Sequence, residues 1–277
     1  MSVRDALETA KAGALAGGRV LESMRGRSGD IRTKASAIDF VSEADVASGV
    51  AVVRAIAERD PRARFVCEEA EVYDLLGVEQ GVIGDGDVWV IDPLDGTTSF
   101  IHDYPTYSVS VALVRGFDPI AGAVYNAAAG EMNAAALGLG ATREGAPIHV
   151  TAAASVTDAL VITGFPYDRG APLDLQMAVL TAFLRAPVHG IRRDGSAAVD
   201  CCHVAGGRAD GFWEYALKPW DMAAGALICR EAGALITDVE GRAWSAASGS
   251  ILAANPLLHA EMLDLIQRVT KGTGGPG

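Results

Sequence analysis

Residues 88–100 read VWVIDPLDGTTSF. Val88–Ile91 is apolar without a break, the pattern of a buried strand. The strand ends on Asp92, and Asp95, Gly96, Thr97 and Thr98 follow at once. In a turn or a helix start, two acids three residues apart face one side, and Pro93 stiffens the chain between them. Asp95-Gly96-Thr97-Thr98 has the form of a helix opening, whose free N–H groups and positive dipole end suit a phosphate. Carboxylates beside a phosphate repel it unless cations lie between. The pattern therefore makes most chemical sense with hard divalent metals bridging protein and phosphate oxygens. Ordinary structure also accounts for it, with Asp92 ending a strand and Asp95 as an N-cap that has Thr98 at its third helical position.

The 277 residues suffice for one large domain or two smaller ones with real cores, and a composition half hydrophobic and about a fifth charged is that of a globular chain. No apolar run reaches the roughly 18 residues of a membrane span, and the opening MSVRDALETAKAGALAGGRV lacks the apolar core of a secretory signal. A net charge of -12 argues against nonspecific binding to nucleic acid or anionic lipid. It does not exclude a phosphorylated substrate, because bound metals reverse the local sign. Cys67, Cys201, Cys202 and Cys229 show no metal-finger spacing and read as reduced thiols of a cytoplasmic protein. Cys201 and Cys202 fit small core residues.

Helical spacing predicts helices over residues 3–24 and 43–58. RFVCEEA and VWVIDPL read as strands, and YSVSVALVRG with PIAGAVYNAAAGEMNAAALG as a meander. REGAPIHVT has hairpin character. Beyond about residue 150, strands (ALVITGFP, VHGIRR, ADGFWEY, ALITDVEG, SGSILAAN) alternate with helices at 173–185, SAAVDCCHVAGG, MAAGALICREAG and 256–270. The expected division is an α+β half over 1–147, an α/β half over 148–270 and a disordered tail over 271–277, with a site in the cleft between halves.

Two further strand-to-helix junctions present acids. Glu68 and Glu69 end the strand RFVC, and would leave the sheet beside Asp92 if FVC and WVI are neighbours. Asp221, in PWDMAAG, precedes an apolar helix. Alone, the glutamates read as a solvated pair and Asp221 as an N-cap. Three junctions that each present an acid are harder to dismiss together than singly.

VWVIDPLDGTTSF with WDMAAGALICREAGA resembles the paired signature of the inositol monophosphatase family, magnesium-dependent and lithium-sensitive phosphatases. The likeness extends to KASAIDFVSEAD (34–45), CEEA (67–70), ITGFPYDR (162–169) and RRDGSAAVD (192–200), and its texture is most similar to bacterial members. The resemblance implies a layered αβαβα sandwich of the sugar phosphatase fold, a homodimer and two or three Mg²⁺ per site. It implies metal ligation by Glu68, Asp92, Asp95 and Asp221 and by the Leu94 carbonyl. Thr97 with Asp45 would orient and deprotonate water, and Glu69 would support the site from behind the ligands. Gly96, Thr97 and Thr98 would bind phosphate. Gly195, Ser196 and Ala197 would form the substrate loop, Glu214 would bind polyol hydroxyls, and Lys34 would be a basic residue near the metals.

An oxygen-only donor set suits Mg²⁺, and no His or Cys cluster competes for zinc; His102 and His203 read as structural or surface residues. Departures from the family pattern are Ser99 for its usual asparagine, Asp103 for its usual glycine, and Arg192-Arg193-Asp194, which either alter which ester fits or form a surface ion-pair cluster. The expected function is hydrolysis of inositol 1-phosphate or a similar polyol phosphate. Alternatives are fructose-1,6-bisphosphatase, histidinol-phosphatase, 3′-phosphoadenosine 5′-phosphate phosphatase and a non-catalytic regulatory protein.

Overall fold

The computed structural model describes residues 1–26, 31–33 and 40–272. Helix α1 (Val3–Met24) is capped by Ser2, whose hydroxyl accepts from the Asp5 N–H. Strands β1 (Ile31–Thr33) and β2 (Phe40–Ser42) pair antiparallel and lead into α2 (Glu43–Ala57). Strands β3 (Phe65–Cys67), β4 (Asp87–Asp95), β5 (Ser108–Arg115), β6 (Asp118–Asn126), β7 (Glu131–Ala136), β8 (Ala141–Arg143) and β9 (Ala146–Pro147) form a seven-stranded sheet in that spatial order. Two short helices, α3 (Glu71–Leu76) and α4 (Thr97–Ile101), interrupt the run. A second sheet is built from β10 (Leu160–Thr163), β11 (Gly190–Arg192), β12 (Gly211–Tyr215), β13 (Leu235–Thr237) and β14 (Ser250–Ala254), in the order β11-β10-β12-β14-β13. Its helices are α5 (Ala171–Arg185), α6 (Ala197–Ala205), α7 (Pro219–Glu231) and α8 (Pro256–Gly272).

The unbroken apolar run of β4 is explained by cover on both faces. Trp89 and Ile91 pack under α1 and α2 with Ala10, Ala14 and Val52. Val88 and Val90 face the opposite way, into a core shared with Ala223 and Leu227 of α7 and Phe212 and Ile251 of the second sheet. Helices α6 and α7 thus lie between the sheets. Helices α5 and α8 cover the far face of the second sheet, where Phe183 stacks on Trp213 at 4.2 Å between ring centroids. The layers run αβαβα, as expected.

Differences from expectation are local. Helix α3 was not foreseen, β4 continues through Asp95, α7 starts three residues before Met222, and α8 continues to Gly272. Lys34 and residues 273–277 lie outside the described residues.

Small residues set the spacing of the layers. A Cβ on Gly122 of β6 would fall 3.0 Å from the Ala224 Cα of α7. Gly122→Ala is therefore expected to push α7 off the sheet and lower stability by about 1–3 kcal/mol. Urea unfolding should show a lower midpoint with an unchanged slope.

Candidate active site

Asp92 and Asp95 belong to one strand, which corrects the expected turn or helix start. Residues three apart on a regular strand point to opposite faces. Here Asp92 pairs with Ser110 and Asp95 with Ser108, so three steps on β4 match two on β5. This one-residue bulge turns both acids to the same side. Ser48 of α2 steadies it by donating to the Pro93 carbonyl at 2.7 Å. The next helix is capped by Gly96, at φ 96°, and not by Asp95.

Strands β3 and β4 are parallel neighbours, and the Glu68 N–H donates to the Ile91 carbonyl. Glu68 and Asp92 therefore leave the sheet side by side and line one cavity with Asp95 and Asp221. Asp221 is the third residue of α7, not its N-cap; its Oδ2 accepts from the Lys218 N–H at 2.7 Å. Asp92 Oδ1 accepts from the Leu94 N–H at 3.0 Å.

The C-terminal half closes the other side. Asp95 Oδ2 accepts from Ser196 Oγ at 2.6 Å and from the Ala198 N–H at 2.8 Å. Ser196 also caps α6, accepting from the Val199 N–H, and meets Ser108 Oγ at 3.2 Å. Gly195 and Gly96 bring the loops close, since a Cβ on Gly96 would lie 3.0 Å from the Gly195 carbonyl oxygen. On the α2 side, Thr97 Oγ1 lies 3.0 Å from buried Asp45 Oδ1 and 3.2 Å from the Leu94 carbonyl. The hydroxyl has one hydrogen to give to these two acceptors and keeps lone pairs with which to accept, and Thr97 lines the cavity.

Burial pushes Asp92 well above the ordinary carboxylate range, and the charges of Glu68, Asp95 and Asp221 add to it. Burial raises Asp95 to about 6 against the opposing hydrogen bonds from Ser196 and Ala198. Asp221 is raised well above its usual range by burial and then by Asp95. Glu214 is pushed up to about 8 by burial and then by Asp95. Among the described residues, no three His, Cys, Asp or Glu side chains form a ready-made metal cage. Several of the acids' oxygens are engaged by protein donors, so closure around an ion would draw on water and substrate oxygens too. The donors themselves are all oxygen, they repel one another, and a hard divalent cation would relieve that repulsion.

The model of the inositol monophosphatase family matches residues 3–271. The chain belongs to that family. It is 39% identical over 256 residues to an inositol-1-monophosphatase of Synechocystis sp., covering 92% of this chain and 86% of that one. It is 38% identical over 261 residues to a putative Nus factor SuhB of Neisseria meningitidis serogroup B, covering 94% and 97%. An inositol monophosphatase structure from Anabaena (Nostoc) sp. superposes with a TM-score of 0.83 at 35% identity, covering 95% of each chain. The protein is accordingly a phosphatase of the inositol monophosphatase family, whose members depend on metal ions.

Of the residues singled out in the sequence, Glu68, Asp92, Leu94, Asp95, Gly96, Thr97, Gly195, Ser196, Ala197, Glu214 and Asp221 line the one cavity. Asp45 and Glu69 are buried behind it, and Thr98 is exposed outside the lining. Sequence reasoning missed Gly164, Phe165, Tyr167, Leu217 and Asp200 as lining residues. The ITGFPYDR segment was the only signal for the first three. Arg193 reaches the cavity from the rim and lowers the proton affinity of Glu214. Ser99 is buried with its Oγ 3.1 Å from where a Cβ on Gly195 would sit. Asp103 adopts φ 52°, the left-handed region that favours glycine, and its carboxylate pairs with Arg25 Nε at 2.6 Å.

A carboxyl whose folded pKa is raised contributes stability when protonated and loses it as pH climbs from its unfolded toward its folded value. In metal-free protein, Glu214→Gln should match wild type below pH about 4.5 and become progressively more stable than it toward pH 8. The gain at neutral pH should be on the order of a few kcal/mol. Chemical denaturation across that range in chelator checks it.

Proposed function

We propose that the protein hydrolyses inositol 1-phosphate, or a closely similar small polyol phosphate, using Mg²⁺. The observation that carries this reading is the Thr97–Asp45 pair set beside an oxygen-only acid cavity, with Glu214 on the far wall. Glu68, Asp92, the Leu94 carbonyl, Asp95 and Asp221 would hold the metal ions. When bound, such ions neutralise phosphate charge and make a bound water acidic.

The chain's own residues do the rest. Thr97 donates to Asp45 and accepts from a water, which aims the water's lone pair at phosphorus and gives its proton a path toward Asp45. Glu69, buried beside Glu68, steadies that strand end. Gly96, Thr97 and Thr98 offer the start of α4 to the phosphate oxygens. Gly195, Ser196 and Ala197 line the polyol side, and Glu214 receives its hydroxyls. Attack forms the new P–O bond as the ester P–O bond breaks, and the net proton balance closes when the leaving alkoxide takes up a proton equivalent to the one the attacking water gave toward Asp45. The reading includes a cytoplasmic homodimer inhibited by lithium, as the family resemblance implies.

A second role alongside catalysis is suggested by the likeness to the Neisseria protein named as a putative Nus factor. Asp95→Asn would separate the two, because it removes charge at the cavity and leaves the surface intact.

Phosphate release from inositol 1-phosphate should require Mg²⁺ and fall by at least about 100-fold in Asp95→Asn, a loss comparable to removing one electrostatic group from an active site. An unchanged rate would remove Asp95 from the metal set. Among inositol 1-phosphate, fructose 1,6-bisphosphate, histidinol phosphate and 3′-phosphoadenosine 5′-phosphate, the first should give the highest kcat/KM. Any other winner overturns the substrate assignment.

A further inference from the structure

The cavity contains an acid with no place in the chemistry described above. Asp200 lies in the first turn of α6, is 1% exposed, and lines the same cavity as Glu214. Its Oδ1 has no hydrogen-bond partner in the protein. An acid in the first turn of a helix is ordinarily explained by capping or by the helix dipole. Capping is not its task, because Ser196 already caps α6 through the Val199 N–H. The dipole favours the charge but supplies no donor to Oδ1, and a buried acceptor left unmatched is costly. Asp200 lines the cavity, so a donor that enters the cavity can supply the match that the protein does not.

Glu214 marks the same wall. Its carboxyl fills the space beside Gly164, where a Cβ would fall 2.0 Å from Glu214 Oε1. Glu214 is the leading charge acting on Asp200, Asp95 is the leading charge acting on Glu214, and Arg193 at the rim partly offsets both. Two acids lining one cavity offer acceptors to hydroxyl donors, whereas a carboxylate or a second phosphate would bring only further acceptors.

We propose that Asp200 is a specificity-determining residue which, together with Glu214, accepts hydrogen bonds from two hydroxyls of the substrate's uncharged polyol part. This rests on the polyol-phosphatase reading and narrows it. The favoured class is a phosphate monoester with at least two free hydroxyls on the side away from phosphorus and no second anionic group there.

The test compares inositol 1-phosphate with phenyl phosphate, a ring ester without hydroxyls, in wild type, Asp200→Asn and Asp200→Ala with Mg²⁺ present. Asp200→Ala should raise KM for inositol 1-phosphate about tenfold or more, and shrink the preference for it over phenyl phosphate by a similar factor. Asp200→Asn, which keeps one acceptor oxygen and the side-chain shape, should fall between. Equal losses on both substrates would assign Asp200 a structural role and overturn the proposal, as would an unchanged KM for inositol 1-phosphate. If Asp200→Ala does not fold, Asp200→Asn alone decides by the same ratio. A wild type that cleaves phenyl phosphate but not inositol 1-phosphate would overturn both this proposal and the polyol reading. Wild-type preference for inositol 1-phosphate that survives in both variants would overturn this proposal alone.

Discussion

Asp95 Oδ2 accepts from Ser196 Oγ and from the Ala198 N–H, and these two bonds join the halves of the molecule at the cavity. The strand that carries Asp92 and Asp95 belongs to the first sheet, while Ser196 and Ala198 belong to the loop and helix that enter the second. One oxygen of Asp95 is therefore fixed by the far half, and its orientation depends on the docking of α6. Ser108 adds to the same point, since it sits opposite Asp95 in the sheet and its hydroxyl meets that of Ser196. Charge-assisted bonds of this kind are short and directional, which suits an acid that must present its other oxygen in one place.

The layered architecture serves this arrangement. Helix α7 lies against β4, β5, β6 and β7 and brings Asp221 to the cavity at its first turn. Close approach at Gly122 lets α7 settle on the sheet, and Gly96 with Gly195 allows the two loops to meet. The cost is electrostatic. Asp92, Asp95 and Asp221 share one cavity with Glu68, and burial and neighbouring charges oppose charge on these three aspartates. A fold that keeps such a set in place is built to receive positive charge.

Much of this was legible in the sequence because acids at the ends of apolar strands are a local pattern. The sequence placed Glu68 beside Asp92 on the condition that FVC and WVI are neighbours, and β3 and β4 meet that condition. Helix α7 and its glycine stop were also plain. The bulge between Asp92 and Asp95 was not, because it exists only in register with β5, a relation that no single segment shows. Helix α3, at six residues, is too short to display a helical period. Asp200 was passed over because an acid near the start of SAAVDCCHV looks like an ordinary first-turn residue, and its unmatched oxygen is visible only once the cavity is built. Ser99 had no account in the sequence; its burial beneath Gly195 now makes it part of the packing between loops. Asp103, where the family pattern has glycine, occupies a left-handed turn and pairs with Arg25.

The central claim is that the repulsion among the acids lining this cavity is relieved by a divalent cation bound there. Thermal unfolding of metal-free wild type and Asp92→Asn, with and without added Mg²⁺ at neutral pH, tests it most directly. The account predicts that Asp92→Asn is the more stable of the two without metal, that Mg²⁺ raises the wild-type Tm in a concentration-dependent way, and that the variant gains little. A wild type indifferent to Mg²⁺, together with a variant less stable than wild type in chelator, would contradict it.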